Sequence, residues 1–318
     1  MLVSFQFSLN ATMPVFLMMV AGFLLRRARL IDDHFAQIAN RLVFRGTLPV
    51  MLFLDLYDTD IRHNFDGRYI GFCFLVTTVS ICAVWFLSHR FLKDRSIIGE
   101  FVQCSYRSSA AILGAAFIMN IYGTSGMAPL MIIGSVPLYN IFAVSILMLE
   151  SPQNADLPLW PRLKKSLIGI LTNPIILGIA AGMAGSLINR RLPVIPEKVL
   201  SSFAGLTSPL GLIAMGAGFD FAQVHGKLRP AAAAALIKTV LLTAIFLPLA
   251  VLFGFRDQQL VALVIMLGSP TTMTSYIMVR NMGYEGSLTS AGIVFSTLAS
   301  SVTLTFWIFL LKYLGLIL

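Results

Sequence analysis

Charge is scarce in this chain. Asp, Glu, Lys and Arg make up 12% of its 318 residues, while 57% are hydrophobic and the mean hydropathy is +0.85. Soluble globular proteins carry about a quarter charged residues, so an ordinary soluble protein is excluded. Cysteine is equally sparse. Cys73, Cys82 and Cys104 all fall inside apolar runs, which leaves neither a disulfide framework nor a metal site, and they read as packing residues. His34, His63, His89 and His225 lie in or beside loops, scattered and unpaired. There is no Gly-rich phosphate loop, no pair of intramembrane aspartates and no room between the runs for a soluble catalytic domain. Neither an enzyme nor a cofactor is expected. The N-terminus lacks the basic flank and small-residue cleavage site of a secretory signal peptide, so the first apolar run is expected to be retained.

What the chain does have is long apolar runs. Ten can be counted, with cores near Leu9–Leu25, Ile38–Leu56, Tyr69–Leu87, Ile97–Asn120, Met127–Leu149, Leu167–Leu187, Leu200–Phe219, Pro230–Phe253, Leu260–Met278 and Leu288–Leu311. Continuous runs of about 20 residues suit helices that cross a lipid bilayer, not the ten-residue alternations of a β-barrel. The expected fold is all-α and integral to the membrane. With the N-terminus placed outside, twelve Lys and Arg residues fall in inside loops and seven in outside ones, against a local contradiction at Asn189-Arg190-Arg191. The positive-inside rule therefore puts both termini outside and explains the net charge of +9 without nucleic acid as a partner.

The second half of the chain repeats the first at a spacing of 160 residues. Thr12, Pro14, Ala21 and Gly22 return as Thr172, Pro174, Ala181 and Gly182; Thr47 and Pro49 as Thr207 and Pro209; Gly123 and Gly126 as Gly283 and Gly286. A slip of one residue aligns Leu75-Val76-Thr77-Thr78-Val79 with Leu236-Ile237-Lys238-Thr239-Val240. Five spans per unit is an odd number, so the second copy must enter from the opposite side. The division expected is a first five-helix repeat over 1–150, a polar inter-repeat loop over 151–165 with Pro152, Pro158 and Pro161, and a second, inverted repeat over 166–318. Inverted hydrophobic repeats are a signature of secondary transporters, whose substrate sits where the repeats meet.

Such carriers often interrupt one helix in each repeat. The ninth span carries Gly268-Ser269-Pro270-Thr271-Thr272, in which Gly268 can end a helix, Ser269 cap a new one and Pro270 take its first position. At the same offset the fourth span carries Tyr106-Arg107-Ser108-Ser109, with Ser109 matching Ser269. Two half-helix N-termini at mid-membrane would offer N–H groups and positive dipole ends to a carboxylate. The alternative is a proline kink with serines bonded to their own turn.

Arg107 lies some ten residues into its span, about 15 Å deep at 1.5 Å per residue, too deep for easy snorkelling. It either holds a ligand or ties carbonyls of the break. Lys238, eight residues into the eighth span where the first repeat has Thr77, either marks function or steadies half-helix C-termini, and it disfavours a sodium ion there. Asn140 beside Pro137, and Asn173 before Pro174, line a cavity or cap kinks. Arg41 and Arg45 are read as snorkelling; Asp55, Glu150 and Asp220 as interfacial residues at span ends.

These residues resemble the auxin efflux carrier family of membrane transporters in its short bacterial form. The resemblance runs from Asn10–Pro14 and Ala21–Leu25 through Asn40–Phe44, Leu48-Pro49, Thr172-Asn173-Pro174, Gly216–Asp220 and Gly268–Thr272 to Ser275-Tyr276-Ile277. It implies ten transmembrane helices as two inverted five-helix repeats, with broken helices 4 and 9 crossing, in a bacterial inner membrane. It also implies a small organic anion as substrate, a mono- or dicarboxylate moved by alternating access, and it allows a homodimer. Family binding positions carry over to Ser108, Ser109, Ser269 and Pro270. Relatives commonly have proline or asparagine in the fourth-span break, where this chain has Arg107-Ser108-Ser109. Substrate contacts are expected from Arg107, Ser108, Ser109, Asn140, Ser269, Pro270, Thr271 and Thr272, with Lys238, Pro49, Pro209 and Asn173 as structural or coupling residues. The competing readings are a sodium- or proton-coupled symporter of another organic solute, and a membrane receptor that binds without transport.

Overall fold

The computed structural model describes residues 14, 17–57, 66–110, 118, 122, 127–151, 164, 167–169, 171–188, 192–218 and 226–317, and every regular element among them is helical. The inter-repeat loop lies almost wholly outside the described residues, as do Thr12, Gly123, Gly126 and Asp220. Helix α1 covers residues 17–27, and α2 (Asp33–Leu42) runs through a π-helical turn, Val43–Thr47, into α3 (Leu48–Tyr57). Next come α4 (Gly67–Phe91), α5 (Ile98–Tyr106), α6 (Ala128–Leu149) and α7 (Pro174–Ile188). Helices α8 (Val194–Gly205) and α9 (Thr207–Ala217) form one apolar run. So do α10 (Leu228–Leu236) and α11 (Leu242–Leu252), joined by a π turn at Ile237–Leu241. The chain ends with α12 (Asp257–Gly268), α13 (Thr274–Asn281) and α14 (Ser287–Tyr313).

Local chemistry sets several of these boundaries. The Asp32 carboxylate accepts from Phe35 N at 2.7 Å and opens α2, and Asp66 does the same for Arg68 N and Tyr69 N at the start of α4. Among the described residues five helical runs are long and apolar enough to cross a bilayer: α4, most of α6, α8–α9, α10–α11 and α14. The surface agrees with that. Leu252, Ile195 and Phe91 are 81%, 77% and 74% exposed, which is untenable in water over so many side chains, whereas Gln103, Ser105, Lys238, Thr239 and Ser269 are fully buried. This is an integral membrane protein with its apolar side chains turned to lipid and a polar interior.

The helices pack as two groups. In one, α3 lies along α7 and α8, and α9 along α2. Glycines make these seams close: a Cβ at Gly182 would stand 2.6 Å from the Phe53 carbonyl oxygen, and one at Gly22 would stand 2.3 Å from that of Ile213. Gly22 and Gly182 are repeat mates, and so are Phe53 and Ile213, so the 160-residue offset relates one contact to the other. The second group gathers α4, α5, α6 and α10 to α14. Between the groups the closest packing runs through α13, which touches α2, the first π turn and α9.

Candidate functional site where two interrupted helices meet

Both expected breaks exist. Helix α5 stops at Tyr106, Arg107 takes an extended backbone (ψ 129°), and helical geometry resumes at Ala110. The continuation, including Gly114, lies outside the described residues. Helix α12 ends at Gly268 and Ser269 is extended (ψ 159°). The restart differs from expectation: α13 begins at Thr274, so Ser269 ends α12 instead of capping the next helix, and Pro270 lies within a five-residue break. The physical reason is that Thr271 is held elsewhere. Its N–H donates to Ser296 Oγ at 3.0 Å and its hydroxyl to the Cys104 carbonyl at 2.7 Å, which stitches the break to α14 and α5 before a new turn can close.

The two breaks touch. Ser109 N donates to the Pro270 carbonyl at 3.1 Å, the Ser108 and Ser269 hydroxyls bond to each other, and Ser108 Oγ also reaches the Ile265 carbonyl at 3.3 Å. Lys238 Nζ donates to the carbonyls of Met266, at 3.1 Å, and Leu267, and the Tyr139 hydroxyl joins it on Met266 O at 3.2 Å. The open carbonyls of Met266 and Leu267 at the end of α12 are therefore met by a tyrosine and an ammonium group, while Ile265 O adds the Ser108 hydroxyl to its backbone bond from Ser269 N. Lys238 projects from the second π turn, a helix irregularity frequent at functional sites. Its position at the negative end of a half-helix is where a bound cation would otherwise gain most.

Arg107 is 2% exposed. Its guanidinium donates to Gln103 Oε1 at 3.3 Å, to Asn140 Oδ1 and to Met278 Sδ, and among the described residues it forms no ion pair with a carboxylate. Asn140 is oriented for this by its own Nδ2–H bond to Val136 O at 2.9 Å, one turn back on α6. A cavity of about 40 Å³ opens beside the group. Arg107, Ser108, Ser109, Asn140 and Thr272 line it, together with Thr274, Tyr139, Val136, Met51, Leu52 and Asp55.

Of the residues singled out in the sequence, those five thus share one cavity, and Ser269, Pro270 and Thr271 form the wall of bonds behind it. The others lie apart. Asn173 caps α7 through Ile175 N at 2.9 Å and borders a separate cavity of about 410 Å³ with Arg280 and Asn281. The carbonyl of Pro49 lies against Gly178 at a helix seam, and Pro209 sits exposed in the first turn of α9.

Two residues have surroundings that the sequence does not announce. Asp55, expected at the membrane interface, lines the cavity with Arg107, because α3 carries its last two turns alongside the break. Glu100 was not singled out, yet its buried carboxylate accepts from Gly286 N, Thr289 N and Thr289 Oγ1 at 3.1, 3.0 and 2.9 Å, capping α14 from another helix. A capping box reads within one segment, so no local signal could have found it.

An apolar helical shell around two interrupted helices that meet in a buried polar centre defines a membrane transport protein. The chain belongs to the family described as membrane transport protein, that of the auxin efflux carriers, whose pattern matches residues 7–308. It is also 19% identical over 310 residues to an uncharacterized transporter of Methanothermobacter thermautotrophicus, a match covering 95% of this chain and 98% of that one.

Proposed function

We propose that this protein is a secondary carrier of a small organic anion, a mono- or dicarboxylate, with Arg107 as the group that holds its charge. The observation carrying this reading is a guanidinium buried in the polar centre with only neutral partners among the described residues. An unpaired buried cation is destabilising by a few kcal/mol, which a carboxylate ligand would offset through a bidentate, charge-assisted contact. Ser108, Ser109, Thr272 and Asn140 supply hydrogen bonds around it, and Thr274 joins them from the same cavity.

The ten-span, inverted-repeat architecture is part of the same proposal. The paired contacts Gly22 with Ile213 and Gly182 with Phe53 support it, since a two-fold relation exchanges the members of such pairs. Alternating access moves the group holding both breaks against the group holding α2, α3 and α7 to α9. A space of about 40 Å³ holds a few waters, so loading an organic acid requires the seam to part. Thr47 and Thr207, repeat mates in the two segments that face α13, support a seam that opens: both are fully buried with unpaired hydroxyls, which water would satisfy. Lys238 fills the cation position at the α12 terminus, which favours transport without sodium there. A bacterial inner membrane and a homodimer remain the expectation from the family, and external termini the expectation from the distribution of Lys and Arg.

Uptake into proteoliposomes with Arg107→Ala and Arg107→Lys tests the reading. Losing one charge-assisted contact of about 1.5–3 kcal/mol weakens the alanine variant on the order of 10- to 150-fold, with lysine recovering part. Undiminished uptake by Arg107→Ala of every carboxylate the parent accepts would sink the assignment.

A further inference from the structure

Gln103 stands one helical turn before Arg107 on α5 and is fully buried, yet it is not among the described residues that line the central cavity. Both its backbone and its side chain bear on the arginine. Its carbonyl accepts from Arg107 N at 3.1 Å, and its Oε1 accepts from the guanidinium Nη1 at 3.3 Å. The other end of the amide is engaged on the neighbouring helix, where Nε2 donates to the Ala143 carbonyl of α6 at 3.1 Å. The amide fits only one way round, since a guanidinium has donors alone and a carbonyl accepts. The Tyr106 hydroxyl adds a bond to the Tyr139 carbonyl at 3.2 Å, so the last turn of α5 is fastened along α6 just where the helix stops. Arg107 lies past that stop on extended backbone, where helical geometry no longer aims its long side chain.

A count of donors shows what this hold leaves over. Nη1 carries two hydrogens, and Gln103 Oε1 and Met278 Sδ accept from it. Asn140 Oδ1 takes one of the two on Nη2. Among the described residues, the Nε–H and one Nη2–H remain, two donors on neighbouring nitrogens, the number a carboxylate engages when it binds bidentately. All three acceptors are neutral, so they fix the guanidinium without cancelling its charge. We infer that Gln103 is a positioning residue of the anion site: it holds Arg107 from behind, closes Nη1 to the ligand and, being an amide, leaves the positive charge to the substrate. This rests on the anion-carrier reading above. Helices α5, α6 and α13, which carry the three acceptors, touch one another within one packed group, so the hold travels with Arg107 when the other group moves. A preset aim spares the substrate the cost of ordering the arginine. A carboxylate in place of the Gln103 amide would pair with the guanidinium itself and compete with the substrate.

The test measures initial uptake of radiolabelled malonate, lactate and benzoate by proteoliposomes over a range of concentrations at neutral pH, with protein-free vesicles subtracted, for the parent, Gln103→Glu and Gln103→Leu. Each protein is also melted in detergent. For a carried probe, Gln103→Glu should raise KM on the order of tenfold or more, with a smaller change in maximal rate, because one charge-assisted contact to the ligand is worth that factor. Gln103→Leu removes the acceptor but leaves the guanidinium charged, and should raise KM about threefold. Melting should run the other way, with glutamate, close to glutamine in shape and paired with Arg107, no lower than leucine. A residue that only joins α5 to α6 would make leucine the worse variant in both measurements. A rise in KM that is larger for Gln103→Glu than for Gln103→Leu supports the role; one that is equal or smaller overturns it while leaving the anion carrier standing. For a probe that is bound without being carried, the concentration giving half-maximal thermal stabilisation takes the place of KM. A parent that neither carries nor is thermally stabilised by any of the three probes overturns both. If Gln103→Glu is not recovered as a monodisperse protein, Gln103→Leu decides alone. A KM raised about twofold or more, by a larger factor than the maximal rate changes, supports the role, and any other result overturns it.

Discussion

Replacing Lys238 by methionine separates two roles that the geometry gives it. The ammonium group is fully buried and donates to the carbonyls of Met266 and Leu267 at the end of α12. Met266 O keeps the Tyr139 hydroxyl at 3.2 Å in the variant, so the carbonyl that loses its donor is that of Leu267. An orphaned buried carbonyl costs about 1–3 kcal/mol, and relief of the ammonium's own desolvation offsets part of this. The expected net loss is about 1–2 kcal/mol, a fall of roughly 2–8 °C in melting temperature. The parent, with an ammonium group already at the half-helix terminus, should melt identically in sodium and potassium at equal ionic strength. A sodium site filled at 100 times its Kd would instead add about 2.7 kcal/mol. Thermal melting in detergent, paired with uptake under sodium or potassium gradients, reads both effects. Sodium-specific stabilisation of the parent, sodium-driven uptake, or a Lys238→Met variant that melts with the parent would refute the reasoning.

The remaining predictions probe the scaffold. Glu100→Gln removes the charge that caps α14 and turns an amide toward N–H donors; a loss of about 2–4 kcal/mol should appear in melting, with the set of carried anions unchanged. Gly182→Leu and its repeat mate Gly22→Leu both drive a side chain into a backbone carbonyl, at a cost of about 3 kcal/mol or more, seen as loss of monodisperse protein. Gly71→Ala, which meets nothing within 4 Å on the exposed face of α4, should gain about 0.5–1 kcal/mol. The Lys227 ammonium group, bonded to Glu285, holds that carboxyl below its ordinary value. A depressed carboxyl stabilises at pH above the unfolded value of about 4.3 and loses the effect as pH falls through the folded value. The difference in melting between parent and Glu285→Gln should therefore be present at pH 7, shrink with added salt and fade as pH falls through the lowered folded value.

Much of the site was legible in the chain because its marks are local. Gly268-Ser269-Pro270 announces a helix end through residue types that suit one, and α12 does end at Gly268. Arg107 announces itself because an arginine so deep in an apolar run demands compensation. What was not legible is where each break finds its partners. The restart at Thr274 depends on Ser296 and Cys104, distant in sequence, which occupy the N–H and hydroxyl of Thr271. Asp55 read as interfacial because distance along a span measures depth but says nothing of which neighbour stands at that depth. Asn173 and Lys238 each had two readings on sequence grounds. In the structure Asn173 both caps Ile175 N and borders a cavity, and Lys238 donates to half-helix carbonyls.

The sequence by itself determined that the chain lives in a membrane and that it is helical, since burial in lipid requires apolar runs that satisfy their own backbone, and it shows residues recurring at an offset of 160. Only the tertiary structure decided which of these segments meet. It brings Ser108 against Ser269 and sets Lys238 at the end of α12. It also places Asp55 and Arg107, far apart in the chain, around one small cavity. The physical reason is that hydropathy is a property of single positions, whereas the pairing of buried charges and open carbonyls depends on which helices pack side by side.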